Sequence, residues 1–152
     1  MLRLSKKVLF AIEAVLDIAY NGGSGPVQSR EITRRQGIPR RYLEQALQQL
    51  VRRDILVGIR GPKGGYRLAR ERRRISVGDI VRTIRDVEDA QNAAPEDEPG
   101  SELGRRIVRP LWIGMQQKAL AGLDKITIDD LCAGADKENI LSEGRSNLDF
   151  SI

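Results

Sequence analysis

The chain has 152 residues, with 26 Lys plus Arg against 21 Asp plus Glu, 4% aromatic residues, one cysteine and no histidine. That length holds one ordinary core, or one domain plus an extension that needs a partner; the missing histidine removes the commonest general base and metal ligand, and the lone Cys132 excludes an internal disulfide. Charge is uneven, since residues 1–87 carry 19 basic against 8 acidic side chains and residues 88–152 carry 7 against 13, so the first half is the part suited to a polyanion.

Lys6 and Lys7 followed by the apolar run Val8 to Ala19 imitate a signal peptide. Glu13 and Asp17 interrupt that run and no small-residue cleavage site follows, and nowhere does the chain approach the roughly 18 apolar residues of a membrane span, which points to a cytoplasmic protein. Ser5 caps a first helix that reaches Tyr20 and stops at Gly22-Gly23. Lys6, Glu13 and Asp17 form its one narrow polar strip, so the helix is expected to be buried on most sides.

Ser29 is the expected cap of a short helix through Gln36, and after Gly37-Ile38-Pro39 a longer helix runs to about Asp54. Two helices around such a turn form a helix-turn-helix. In the second, Leu43, Ala46, Leu47, Leu50 and Val51 make a core stripe, opposite Arg41, Gln45, Gln48 and Arg52. Leu56 to Arg60 and Tyr66 to Ala69 read as two strands joined by the turn Gly61 to Gly65, a wing. Ser76 with Asp79 opens a helix through about Val87.

Residues 88–102 hold six acids and no base, and read as a flexible acidic linker. Beyond it Val108, Leu111, Trp112, Met115 and Ala119 share one helical face, with Pro110 either starting or kinking the helix. Thr127 caps a final helix to Leu131, and residues 134–152 read as a polar, disordered tail. The expected fold is mainly α with a small β-hairpin: a winged helix-turn-helix over 1–87, the linker, and a dimerisation helix with a short terminal helix over 103–133.

The chemistry of the first half fits double-stranded DNA. The N-terminal turn of a recognition helix reaches base edges, where Arg suits guanine and Gln suits adenine. Arg40, Arg41, Tyr42 and Gln45 occupy that turn, and Glu44 could accept from a cytosine amino group. Ser29, at the start of the first helix of the pair, and Arg52, further along the second, are candidates for phosphate contact. In the wing, Arg60 can enter a minor groove, Gly61 and Gly64 let backbone amides approach phosphates, and Lys63 and Arg67 add positive charge. The glycines lack P-loop spacing and a following helix, and with no His, thiol pair or metal spacing an enzyme has no evident chemistry here.

Several stretches resemble the Rrf2 family of winged-helix regulators. They are Arg3-Leu4-Ser5, Glu31-Ile32 with Gln36-Gly37-Ile38, Tyr42-Leu43-Glu44-Gln45, Arg60-Gly61-Pro62 and Gly64-Gly65-Tyr66-Arg67-Leu68-Ala69. The likeness resumes at Leu111-Trp112, Leu123-Asp124, Ile126-Thr127 and Asp130-Leu131. The resemblance implies a homodimer joined by a long C-terminal helix, with Tyr42, Glu44, Gln45 and Arg60 reading a pseudo-palindromic operator. Many members hold an iron–sulfur cluster on three cysteines in the region of residues 88–106. Here that region has only carboxylates and small residues, so no cofactor is expected and the likeness is to the cluster-less, CymR-like type concerned with cysteine metabolism.

Members of that type are controlled by complexing with cysteine synthase. The stretch ending at Phe150, Ser151 and Ile152 is similar to tails that enter that enzyme's active site, with Ile152 and Phe150 as anchors. Cysteine synthase is therefore an expected partner beside DNA and a second copy of the chain. Two other readings stay open: a module whose main task is to restrain a biosynthetic enzyme, and a regulator of an unidentified small ligand.

Overall fold

The computed structural model describes residues 5–23, 25–91 and 100–144. Helix α1 (Lys6–Asn21) begins at Ser5, whose hydroxyl accepts from the Val8 amide. Helices α2 (Ser29–Gln36) and α3 (Arg40–Arg52) follow, and Gly37 between them takes a left-handed φ of 66° that ends α2 and turns the chain. Ser29 is not the expected cap. Gln28 holds that place, with its backbone N–H donating to the Glu31 carboxylate at 3.1 Å, so Ser29 lies inside the first turn.

Strands β1 (Leu56–Ile59) and β2 (Gly65–Leu68) pair antiparallel, Leu56 opposite Leu68 and Ile59 opposite Gly65. Val27 adds a bridge to Tyr66 through two backbone hydrogen bonds of 2.9 and 2.8 Å, which ties the approach to α2 onto the hairpin. A 3-10 turn at Arg72–Arg74 leads to α4 (Val77–Gln91), opened by reciprocal 3.0 Å bonds between Ser76 and Asp79. Expected to stop near Val87, α4 continues into the acidic stretch, where Glu88 accepts from the Ser5 hydroxyl at 2.8 Å. Residues 88–91 are thus helical and not linker.

A π-helical turn at Gly104–Val108 leads into α5 (Arg109–Leu123). Pro110 has no amide to donate and its ring needs room, and the wider turn just before it supplies that room without breaking the helix. Helix α6 (Ile128–Lys137) starts at Thr127 with a capping box to Asp130 and runs past Leu131. The expectation of disorder from residue 134 is corrected for residues 134–144. They continue α6 and fold back on α1, where the Ser142 hydroxyl donates to the Tyr20 carbonyl.

Helix α1 is the centre of the fold, packed by α2, α3, α4 and α6. Val8, Ala11, Ala14, Val15 and Ile18 of α1 meet Ile32, Leu43, Leu47, Leu50, Ile80, Ile84 and Ile128. Burial of each large aliphatic side chain in this set contributes on the order of 1.5–3 kcal/mol, enough to hold α3 rigidly by one face. Asp17 departs from the expected polar strip. It is buried, and accepts from Arg35 at 2.8 and 2.9 Å and from Gln36 at 2.8 Å, so its charge is matched inside the α1–α2 contact.

Candidate nucleic-acid interface

With Leu43, Ala46, Leu47 and Leu50 in the core, α3 turns Arg41, Gln45, Gln48 and Arg52 outward, all exposed. Arg40 and Glu44, one turn apart, form an exposed ion pair of 2.9 Å. Arg40 therefore has a carboxylate neighbour that an incoming phosphate would have to replace.

Between α2, the start of α3 and the hairpin runs a groove of about 580 Å³, lined among others by Ser29, Arg30, Thr33, Arg40, Gly61 and Gly64. The Gln28 side-chain amide donates to the Pro62 carbonyl at 3.3 Å, so the tip of the hairpin is fixed to the start of α2. Gly65 has a φ of 151°, and a Cβ there would lie 2.5 Å from the Val27 carbonyl oxygen. Only glycine allows the backbone of the hairpin to approach Val27 so closely. Arg60 and Lys63 are exposed at the tip, and Arg67 is exposed on β2.

The structure brings Ser29, Arg40, Gly61 and Gly64 around one groove. Tyr42 lies to the side. Its ring is 6.2 Å from that of Phe10, with the Lys7 ammonium 6.0 Å from its centroid, and it shares a cavity of about 250 Å³ with Lys7, Gln45 and Glu88. Arg52 sits in the last turn of α3, away from the groove lining, and its neighbour Arg53 is held by Asp86 at 2.9 Å. Ile152 and Phe150 lie outside the described residues.

Sequence reasoning missed Arg30 and Thr33. Their signal was the face of α2 away from Ile32, three residues apart and therefore neighbours on the helix, which was passed over because attention went to α3. A second basic run, Arg70 to Arg74, lies at the opposite end of the hairpin from its tip. Arg72 is paired with Asp129 and Arg73 with Glu71, each at 2.7 Å, so much of its charge is matched within the fold.

Among the described residues no helix is long and apolar enough to cross a membrane. The sequence profile described as "Rrf2: Iron-dependent Transcriptional regulator" matches residues 4–134. The HTH-type transcriptional regulator IscR of Sodalis glossinidius is 34% identical over 131 residues, covering 86% of this chain and 78% of that protein. Among solved structures, T. potens IscR aligns with a TM-score of 0.71 at 30% identity, covering 93% of both chains. CymR, the global cysteine regulator of B. subtilis, aligns with a TM-score of 0.66 at 28% identity, covering 88% of this chain and 98% of that one.

Proposed function

The chain belongs to the Rrf2 family of DNA-binding transcriptional regulators, and from that premise we propose that it works as a homodimeric repressor that places α3 in the major groove and the hairpin tip on the flanking minor groove. The observation that carries this reading is the groove between α2, α3 and the hairpin, where Arg30 and Arg40 meet the Gly61 to Gly64 turn. Cations there neutralise phosphates, while Arg41 and Gln45 on the outward face of α3 are the base readers. Two recognition helices about 34–36 Å apart, or a multiple of one DNA turn, fit a pseudo-palindrome.

The dimer reading rests on α5. Leu103, Ile107, Leu111 and Met115 recur every four residues and all are exposed, as are Val108, Trp112 and Ile113. A stripe of that length is covered in solution by a second copy.

The family description names iron, and the donors in this chain do not fit an iron–sulfur cluster. Such clusters are held by several thiolates. The sole cysteine, Cys132, is buried in α6, and burial pushes its thiol up, away from the thiolate form. Residues 88–106 contain neither cysteine nor histidine, and among the described residues no group of three His, Cys, Asp or Glu could hold a metal ion. The chain matches the cluster-less, CymR-like type and is a regulator without enzymatic machinery.

Selection of bound fragments from the source genome, followed by footprinting, tests the proposal; a single palindromic motif is expected, and no preference over random competitor at low salt would end it. A finer reading places the regulated genes in cysteine metabolism, with complex formation with cysteine synthase as the signal. Its support is the likeness to a protein described as a global cysteine regulator. Titrating purified cysteine synthase with the whole chain and with a chain lacking Ile152 tests it, and equal binding by both, or none by either, rules out the proposed contact.

A further inference from the structure

The corner where α1 meets α2 is closed by a residue from far along the chain. After α6, Asn139 takes a left-handed φ of 58° and turns the backbone toward α1. The Tyr20 hydroxyl donates to the Ile140 carbonyl, the Ser142 hydroxyl donates to the Tyr20 carbonyl, and the Glu143 amide donates to Asn21 Oδ1 at 3.0 Å. These bonds deliver the Glu143 carboxylate to two guanidinium groups of α2. Arg34 donates to both of its oxygens, at 2.9 and 3.1 Å, and Arg35 donates at 2.6 Å.

The two arginines differ. Arg35 has an 11% exposed side chain and is locked by the buried Asp17, so its charge is committed whatever Glu143 does. Arg34 is a surface side chain, 62% exposed. It follows Arg30 by one turn and is next to Thr33, and both of these line the candidate DNA groove. A carboxylate engaging the guanidinium of Arg34 through both oxygens is geometrically what a DNA phosphate would be. Both arginines hold the Glu143 carboxyl below the ordinary glutamate range, Arg34 most strongly, so it is an anion at neutral pH.

We propose that Arg34 is a phosphate contact of the DNA complex, and that Glu143 occupies it in the free protein as an internal stand-in for phosphate. The inference rests on the DNA-binding reading above. An ion pair this exposed is weak enough for phosphate to displace. Because Glu143 is held in place by residues 140–143 on α1, whatever pulls on the chain beyond it changes the supply of one cation to DNA.

The test uses the full chain and a labelled mixed-sequence duplex, because phosphate contacts are independent of sequence. Glu143→Gln is expected to bind about 3- to 10-fold more tightly at low salt, with the slope of log affinity against log salt steeper by about 0.9, the value of one added phosphate contact. Glu143→Asp, which keeps the carboxylate, stays near wild type, and in an Arg34→Ala background Glu143→Gln gives no gain. No tightening in Glu143→Gln, or the same gain in the Arg34→Ala background, overturns the inference while leaving DNA binding intact. Failure of the wild-type chain to bind any duplex removes both.

Discussion

In α1 to α4 the large aliphatic side chains point inward, and Ile32, Leu43, Leu47, Leu50 and Ile80 are fully covered. In α5 the same kinds of side chain point outward, with Leu103 73% and Leu111 67% exposed. The difference lies in the number of layers. Helix α3 has α1 and α4 against its apolar stripe, whereas α5 touches α4 only through its later residues, where Leu120 and Leu123 are partly buried and Arg85 donates to Gln116 at 3.4 Å. Arg82 and Asp124 pin that end. One region completes its own core, and the other carries apolar surface that a second chain must complete.

The largest expected effect comes from breaking the second region alone. Leu111→Asp puts a charge on the exposed stripe without touching the core of α1 to α4. Light scattering should report monomers, and affinity for a palindromic operator should fall about 100- to 10,000-fold because two linked half-sites become one. The unfolding of α1 to α4 should change little. A variant that stays dimeric would mean the stripe is covered by something other than a second copy.

Next comes a break confined to the first region. Gly65→Ala forces a Cβ to within 2.5 Å of the Val27 carbonyl oxygen at a φ of 151°. The hairpin must shift and lose the Val27 to Tyr66 bridge, at a cost of about 1–3 kcal/mol. Urea unfolding should show that loss, with DNA affinity reduced and the dimer intact. Unchanged stability would show that the bridge contributes nothing to holding the wing.

How far these features could be read from the chain depends on the range of the interaction that sets them. The α3 stripe, the hairpin and the Ser5, Ser76 and Thr127 caps are local patterns, and each stands where its spacing puts it. The errors involve partners far along the chain. Asp17 looks like a solvated residue until Arg35 is brought against it, and Ser142 and Glu143 look like tail until Tyr20, Asn21 and Arg34 receive them. Arg30 and Thr33 were invisible for the same reason, since a groove is made by three elements and no one of them announces it.

The smallest effects separate the two kinds of contact within the first region, and neither variant should disturb the dimer or the fold. Gln45 is exposed on the outward face of α3 and Lys63 is exposed at the hairpin tip, so both can be changed without opening the core. Gln45→Ala should relax the preference at one base by about 1–2 kcal/mol, because a carboxamide fits the adenine edge and a methyl group does not. Lys63→Ala should weaken all sequences alike and flatten the salt dependence by about one unit, the signature of one lost phosphate contact. Footprinting and salt titration of both variants on one operator distinguish the roles. If the two lose affinity in the same pattern, α3 and the wing do not divide reading from anchoring.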